Sequence, residues 1–256
     1  MILGIPNNSA IVTGSGDTAG GLAANVLLQE PHKVVTFPTG AGYIILDFDS
    51  STAFKLIALG YITGADTSST WRYRFATSEG NLTASPTLDS GVINLWNSVD
   101  LSGSNRTHTF KEIDLSARWV RIDFTNSSNS LSIGRVCVCP TFTHARGLTD
   151  PSINIKQLTR ENATSGGLFR SIIRQHREIS ASFPVLEQSE VNALSKIERD
   201  TGASSDLFLC VDESATNYVM DLTFFCLLEE GGFDFLRVPG WDKFNRAVTF
   251  TEVIMP

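Results

Sequence analysis

The stretch that most constrains the fold is residues 117–124, Ala-Arg-Trp-Val-Arg-Ile-Asp-Phe. Trp119, Arg121 and Asp123 fall on one side of an extended chain, and Val120, Ile122 and Phe124 on the other. That alternation belongs to a strand with one face against a core and one toward water. The polar break at residues 126–130, Asn-Ser-Ser-Asn-Ser, is turn chemistry, so the segment from Leu131 to Val136 reads as its partner in a hairpin or corner. Residues 43–48 and 53–62 are β-branched and aromatic and read as two strands separated by the polar residues 49–52. Residues 71–75 and 91–96 add two more, and no convincing long helix precedes residue 140. The first 140 residues therefore predict a β-sandwich.

Composition narrows what such a chain can do. With 42% hydrophobic residues over 256 positions there is enough apolar side chain for one large or two ordinary cores. The net charge is −7, and the Lys and Arg residues are scattered rather than gathered, so nucleic acid is not an expected partner. No run approaches the roughly 20 apolar residues of a membrane span, and residues 1–6 lack the basic and apolar regions of an export signal. Cys137, Cys139, Cys210 and Cys226 lack zinc-knuckle spacing and read as reduced core residues.

Catalysis and cofactors find little support. Residues 14–21 are glycine-rich but contain no Gly-x-Gly-x-x-Gly and no surrounding βαβ unit, so they read as a surface loop and no cofactor is expected. His32, His108, His144 and His176 are unaccompanied by a nucleophile or metal motif, so no enzyme is expected. Asp47 and Asp49 could share a cation, and Asp17 or Asp66 could hold a structural calcium. Two carboxylates fall short of the six to eight oxygens calcium takes, so these read as solvated aspartates and no metal site is predicted.

After a connector at residues 140–151 the pattern changes. Residues 168–183 fit a period of two, as an extended strand or two. Residues 186–200 place Leu186, Val191, Leu194 and Ile197 at helical spacing, with Thr201-Gly202 as a stop. Strands at 206–211, 218–228 and 247–253 follow. The sequence thus predicts a mainly β chain: an N-terminal β-sandwich jelly roll over residues 1–140, then a smaller α+β, barrel-like domain with one helix over residues 151–256.

Two family resemblances accompany these patterns. Residues 22–28, Leu-Ala-Ala-Asn-Val-Leu-Leu, then residues 43–48 and 54–59, then residues 117–124 with Ile133-Gly134-Arg135-Val136, stand in an order that resembles the discoidin or galactose-binding-like jelly rolls. Residues 29–35, Gln-Glu-Pro-His-Lys-Val-Val, depart from the Asp and Trp that such domains often carry at the ligand end. The second half, closing on Phe244 to Val253, resembles the small α+β barrels of bacteriophage tail-tip and baseplate proteins. Together they imply a structural component of a phage tail, made in the host cytoplasm and placed in the virion. It would form a symmetric ring with copies of itself and other tail proteins, and display a carbohydrate-binding module. The alternative is a free-standing lectin-like module or adhesin component that binds cell-surface glycan.

Sugar recognition needs an aromatic plane for the apolar side of the ring and planar hydrogen-bonding groups around it. Trp96-Asn97 and Arg106-Thr107-His108 lie in predicted loops, so Trp96, Asn97, Arg106 and His108 are the candidate ligand residues. The competing reading of Trp96 is a strand-end residue that closes the core. Trp71 and Trp119 read as core or inter-domain packing, and Trp241 as a loop anchor.

Overall fold

The structure is a computed structural model that describes residues 1–15, 23–30, 32–37, 40–96, 107–126, 130–144, 146–164, 167–201, 205–211, 223–229, 236–237 and 243–253. In chain order the strands are β1 (Ile2–Gly4), β2 (Ile11–Gly14), β3 (Val35–Phe37), β4 (Gly40–Gly60), β5 (Thr70–Ala76), β6 (Leu88–Asp89), β7 (Ile93–Asn94) and β8 (Thr109–Asn126). They continue with β9 (Leu131–Ile133), β10 (Arg135–Cys139), β11 (Thr141–Thr143), β12 (Thr149–Thr164) and β13 (Gly167–Leu186). The last are β14 (Leu207–Cys210), β15 (Thr223–Leu228), β16 (Leu236–Arg237) and β17 (Phe244–Glu252). A 3-10 turn covers Ala23–Leu27, and the helices are α1 (Asn81–Ala84) and α2 (Gln188–Thr201).

The chain is mainly β, a jelly-roll sandwich followed by an α+β sheet domain. A seven-stranded antiparallel sheet, ordered β10-β4-β8-β5-β6 with β2 on β4 and β7 on β5, wraps with the β3–β9 pair around one core. Ile44, Leu46, Trp71, Phe75, Val120, Ile122 and Phe124 fill that core from one side, and Val35, Phe37, Leu131 and Ile133 join it from the β3–β9 pair. Residues 43–48 and 53–62 are not two strands. Up to Gly60 they form one strand, β4, which stays beside β8 along its length, from Gly40↔Asn126 to Leu59↔Thr109. The polar residues between them bulge instead of turning the chain around. Asp49 takes φ +64, and its N–H donates to Asp47 Oδ1 at 2.9 Å, a backbone state Asp tolerates better than most residues. The hairpin expected between 117–124 and 131–136 does not form either. β9 pairs with β3, and β10 pairs with the far end of β4.

The second sheet runs β11-β1-β14-β15-β17-β13-β12. The chain's first strand is therefore a member of this sheet, between β11 and β14, and the jelly roll lies between β1 and β11 in sequence. Alternation in β1, β14 and β15 gives each face its own neighbour. Leu3, Leu207, Leu209 and Phe224 meet Val191, Leu194 and Ile197 of α2, while Ile2, Phe208, Cys210 and Phe225 meet Leu56, Ala58, Cys137 and Cys139 of the jelly roll. α2 is where its periodicity predicts, and Glu190 Oε2 accepts from the Glu187 N–H at 2.8 Å, closing the helix start. All four cysteines are buried and none forms a disulfide.

The layer between the two units carries a buried ion pair. Arg135, 1% exposed, donates Nε to Asp206 Oδ2 at 2.8 Å and Nη2 to Oδ1 at 2.6 Å. It also donates to Leu27 O and, at 2.9 Å, to Asn8 Oδ1. Burial raises the Asp206 carboxyl against the pull of this guanidinium. The Tyr61 hydroxyl donates to Val253 O at 2.6 Å, a second polar tie across the layer.

Candidate functional site

The outer face of the β4–β8–β5 sheet gathers aromatic and charged side chains that the register sets in rows. Tyr43 stands opposite Asp123, Ile45 opposite Arg121, and Asp47 opposite Trp119; on the other flank Arg72 faces Asp123, Arg74 faces Arg121, and Ala76 faces Trp119. Arg74 and Arg121 are directly opposed like charges, which costs stability unless an anion intervenes. Asp123 supplies it, accepting from Arg74 Nη2 at 2.6 Å and from Arg121 Nε at 2.8 Å. The Arg121 guanidinium also lies 4.2 Å from the Tyr43 ring centroid, within cation–π range.

At one end of this face Arg118 forks onto Asp47, Nε to Oδ1 at 2.7 Å and Nη2 to Oδ2 at 2.9 Å, and its guanidinium lies 5.3 Å from the Trp119 ring centroid. At the other end Arg72 holds Asp89, Nε to Oδ1 at 2.8 Å. Hydrogen bonds from these guanidiniums keep Asp47 below the usual carboxylate range and bring Asp89 to about 2. Beneath the charges lie Ile45, Ala76 and, from α1, Leu82. The face thus offers half-buried aromatic rings with planar donors and acceptors held in place by their mutual hydrogen bonds. That is a surface able to meet the hydroxyls and the apolar side of a saccharide.

The loop residues singled out from sequence sit elsewhere. Trp96 is 3% exposed and belongs to the jelly-roll core, its backbone N–H donating to Asn94 Oδ1. His108 is 4% exposed between the two units, with ring centroids 5.0 Å from Tyr61 and 5.7 Å from Phe225, and its Nδ1 is 2.7 Å from Thr107 Oγ1. Burial pushes its pKa down to about 3. Neither side chain is at a surface that a ligand could reach. Asn97 and Arg106 lie outside the described residues, as does Trp241. Trp119, read as packing, is half-buried on the outer sheet face. The signal that could have found this face is the Arg-x-Asp and Arg-x-Arg spacing at 121–123 and 72–74, on strands whose other face is apolar.

Arg118 occupies both oxygens of Asp47 by hydrogen bonds, and Asp49 is 97% exposed with only a 4.0 Å approach from the same guanidinium. Among the described residues no three His, Cys, Asp or Glu side chains converge as metal ligands.

No protein-family model matches this chain, and no curated protein matches it. Among solved structures it is similar to a fucose-binding module of Streptococcus pneumoniae at 13% identity, covering 53% of this chain and 94% of that one, TM-score 0.41. It is also similar to the lectin domain of lectinolysin complexed with Lewis B antigen, at 14% identity over 54% of this chain and 94% of that one, TM-score 0.40. A third is chitosan-binding module 1 of a chitosanase/glucanase from Paenibacillus sp. IK-5, at 15% identity over 54% and 98%, TM-score 0.40. Likenesses at this level carry no argument about ligand, and the fold assignment stands on the strand order and core described above.

Proposed function

We propose that this chain is a carbohydrate-binding protein whose jelly roll meets glycan through the Tyr43–Arg121–Trp119 face. The observation that carries the reading is that face itself. Two aromatic residues flank the Ile45–Arg121 pair, four residue steps apart along the strands, and at about 3.4 Å per residue that spans roughly 13 Å. Such a span suits an oligosaccharide better than a single ring. The test is a glycan array probed with the full chain, with fucose, Lewis b and chitosan oligomers as first probes. Trp119→Ala and Arg121→Ala should each weaken a positive signal at least tenfold without loss of the folded state. Silence across the array would sink the reading, and unchanged binding in both variants would move the site off this face.

A second reading, that the chain is a subunit of a larger assembly, draws on a different observation. β13 pairs with β17 only from Glu178 onward, while its pairing with β12 continues out to Thr164↔Gly167. Among the described residues, about ten residue pairs therefore form a two-stranded ribbon with no third strand, on the order of 34 Å long. An isolated ribbon of two strands is marginal in water, so a partner surface explains its persistence. The finer form of this reading, a phage tail-tip ring that displays the jelly roll, draws support from the family resemblance of residues 151–256. Sedimentation of the full chain tests it: an oligomer of fixed stoichiometry is expected, and a monomer at all concentrations overturns it.

A further inference from the structure

The middle of the outer sheet face holds more hydrogen-bond donors than the protein satisfies. Arg74 on β5 stands directly opposite Arg121 on β8, and Arg72 stands opposite Asp123. These three guanidiniums share two carboxylates. Asp89 gives both oxygens to Arg72, and its Oδ1 also accepts from the Gly91 N–H at 2.9 Å. Asp123 gives Oδ1 to Arg121 and Oδ2 to Arg74. Every carboxylate oxygen here is engaged. On the donor side, among the described residues, no hydrogen bond reaches Nη1 or Nη2 of Arg121 or Nη1 of Arg74. Arg74 Nε is buried with no partner either.

The surplus is one cation, and the fold holds it in place. Arg74 is 8% exposed, so packing fixes its side chain before any ligand arrives. Arg121 lies over the Tyr43 ring, so a saccharide that approaches this ring meets the guanidinium first. The remaining charges belong to the far end of the face. Asp47 neutralises Arg118 there, and the exposed Asp49 lies four residues along β4 from Ile45, the partner of Arg121. That is about 13 Å of strand, beyond the roughly 8 Å over which charges act at physiological salt. Glu79 is at the same end, three residues after Ala76, the partner of Trp119.

We infer that the saccharide this face takes is acidic, with a carboxylate or sulfate group bonded to Arg74 and Arg121 beside Asp123. The inference rests on the carbohydrate reading above and names the class of sugar. A sugar hydroxyl could fill these donors, but a charge-assisted bond is roughly twice as strong as a neutral one. Only an anion also cancels the extra guanidinium. The whole chain carries −7, so attraction to an acidic ligand comes from this spot and not from the overall field.

The experiment is isothermal titration of the full chain with three acidic probes, each against a neutral counterpart. Oligogalacturonate is paired with its methyl ester, and sialyllactose and sulfolactose are each paired with lactose. At least one acid should bind about tenfold or more tighter than its counterpart, and which acid binds separates carboxylate from sulfate. The advantage should shrink as salt rises, and Arg74→Gln and Arg121→Gln should each remove it. Equal binding of acid and neutral forms, or binding of neutral sugars alone, overturns the inference and leaves the carbohydrate reading standing. Silence toward every saccharide overturns both. Polyglutamate bound as tightly as oligogalacturonate overturns the inference by showing a plain cationic patch, and so does an advantage that survives in both variants. The comparison of acid with neutral form is made on the wild type, so it stays decisive if loss of a guanidinium disturbs the fold.

Discussion

β4 and β8 run side by side for their whole length, yet the outer faces of their two halves are opposites. Before the bulge at Asp49 the outer face carries Tyr43, Asp47, Trp119, Arg121 and Asp123, a charged and aromatic surface that is half-buried except at the buried Asp47. Beyond it, Leu56 and Ala58 of β4, with Cys137 and Cys139 of β10, are buried against Phe208, Cys210 and Phe225. One strand therefore alternates where it is covered once and is apolar on both faces where it is covered twice, as Leu56-Ile57-Ala58-Leu59 shows. The lesson is that a second covered face can be read from the loss of alternation, although what covers it cannot. It also follows that the covered half should dominate stability and the open half should dominate binding.

The sharpest way to break that division is Arg135→Met. It leaves the Asp206 carboxylate buried with its guanidinium gone, together with Leu27 O and Asn8 Oδ1. A loss of about 3–5 kcal/mol is expected in chemical denaturation. Adding Asp206→Leu should recover most of it, because a buried pair replaced by apolar side chains is often neutral. A single variant that costs under about 1 kcal/mol would show that the layer between the units opens to water. Phe225→Ala comes next. Its ring packs on Tyr61, His108 and Phe208 at centroid distances of 5.8, 5.7 and 5.5 Å, and truncation of a core phenylalanine costs about 3–5 kcal/mol. The loss should appear as a shift of one cooperative transition. Two separated transitions would mean that the jelly roll and the second sheet fold independently.

His108 sharpens the same contrast through pH. Its folded pKa of about 3 lies below its unfolded value, roughly 6.5. Between those values the unfolded chain holds the extra proton, so stability rises with pH across this window and falls as pH drops through it. The slope from this one group is at most about 1.4 kcal/mol per pH unit. His108→Phe should flatten the dependence of melting temperature on pH between about 6.5 and 4. An unchanged slope would place the histidine in contact with solvent.

Much of this was legible from residue patterns, and the failures have physical causes. Alternation marks β5 and the middle of β8, and three- and four-residue spacing marks α2, because each pattern is local. β1 carries only Ile2-Leu3-Gly4, too short for a period, so its place inside the second sheet is set by its partners Thr141 to Thr143 and Phe208 to Cys210. The residues from 49 to 52 look like a turn, and only the continuous pairing with β8 makes them a bulge. Trp96 and His108 are buried where the sequence reads as exposed loop, for a related reason. Their polar neighbours mimic an exposed loop, while burial is decided by Leu95 and the core on one side and by Phe225 on the other.

The smallest expected effect on stability lies on the open half. Arg118 is 38% exposed on its side chain, and its fork onto the more buried Asp47 is open to solvent on the arginine side, where water and salt screen an ion pair and leave it a small contribution. Arg118→Ala should therefore leave the denaturation midpoint nearly unchanged while freeing the Trp119 ring from the guanidinium above it. The depressed Asp47 carboxyl owes its shift first to this hydrogen bond, so its titration should move up toward the ordinary range, which carbon-detected NMR can follow at that side chain. For a depressed acid the stabilising contribution holds above the unfolded pKa, near 3.9, and is lost as pH falls through the folded value. The variant should thus fall short of the wild type by this small amount near neutrality, and the difference should vanish as pH falls through the folded value. If Arg118→Ala destabilised the protein at neutral pH as much as Phe225→Ala does, the open face would be a packing surface covered by something else, and the division between the two halves would fail.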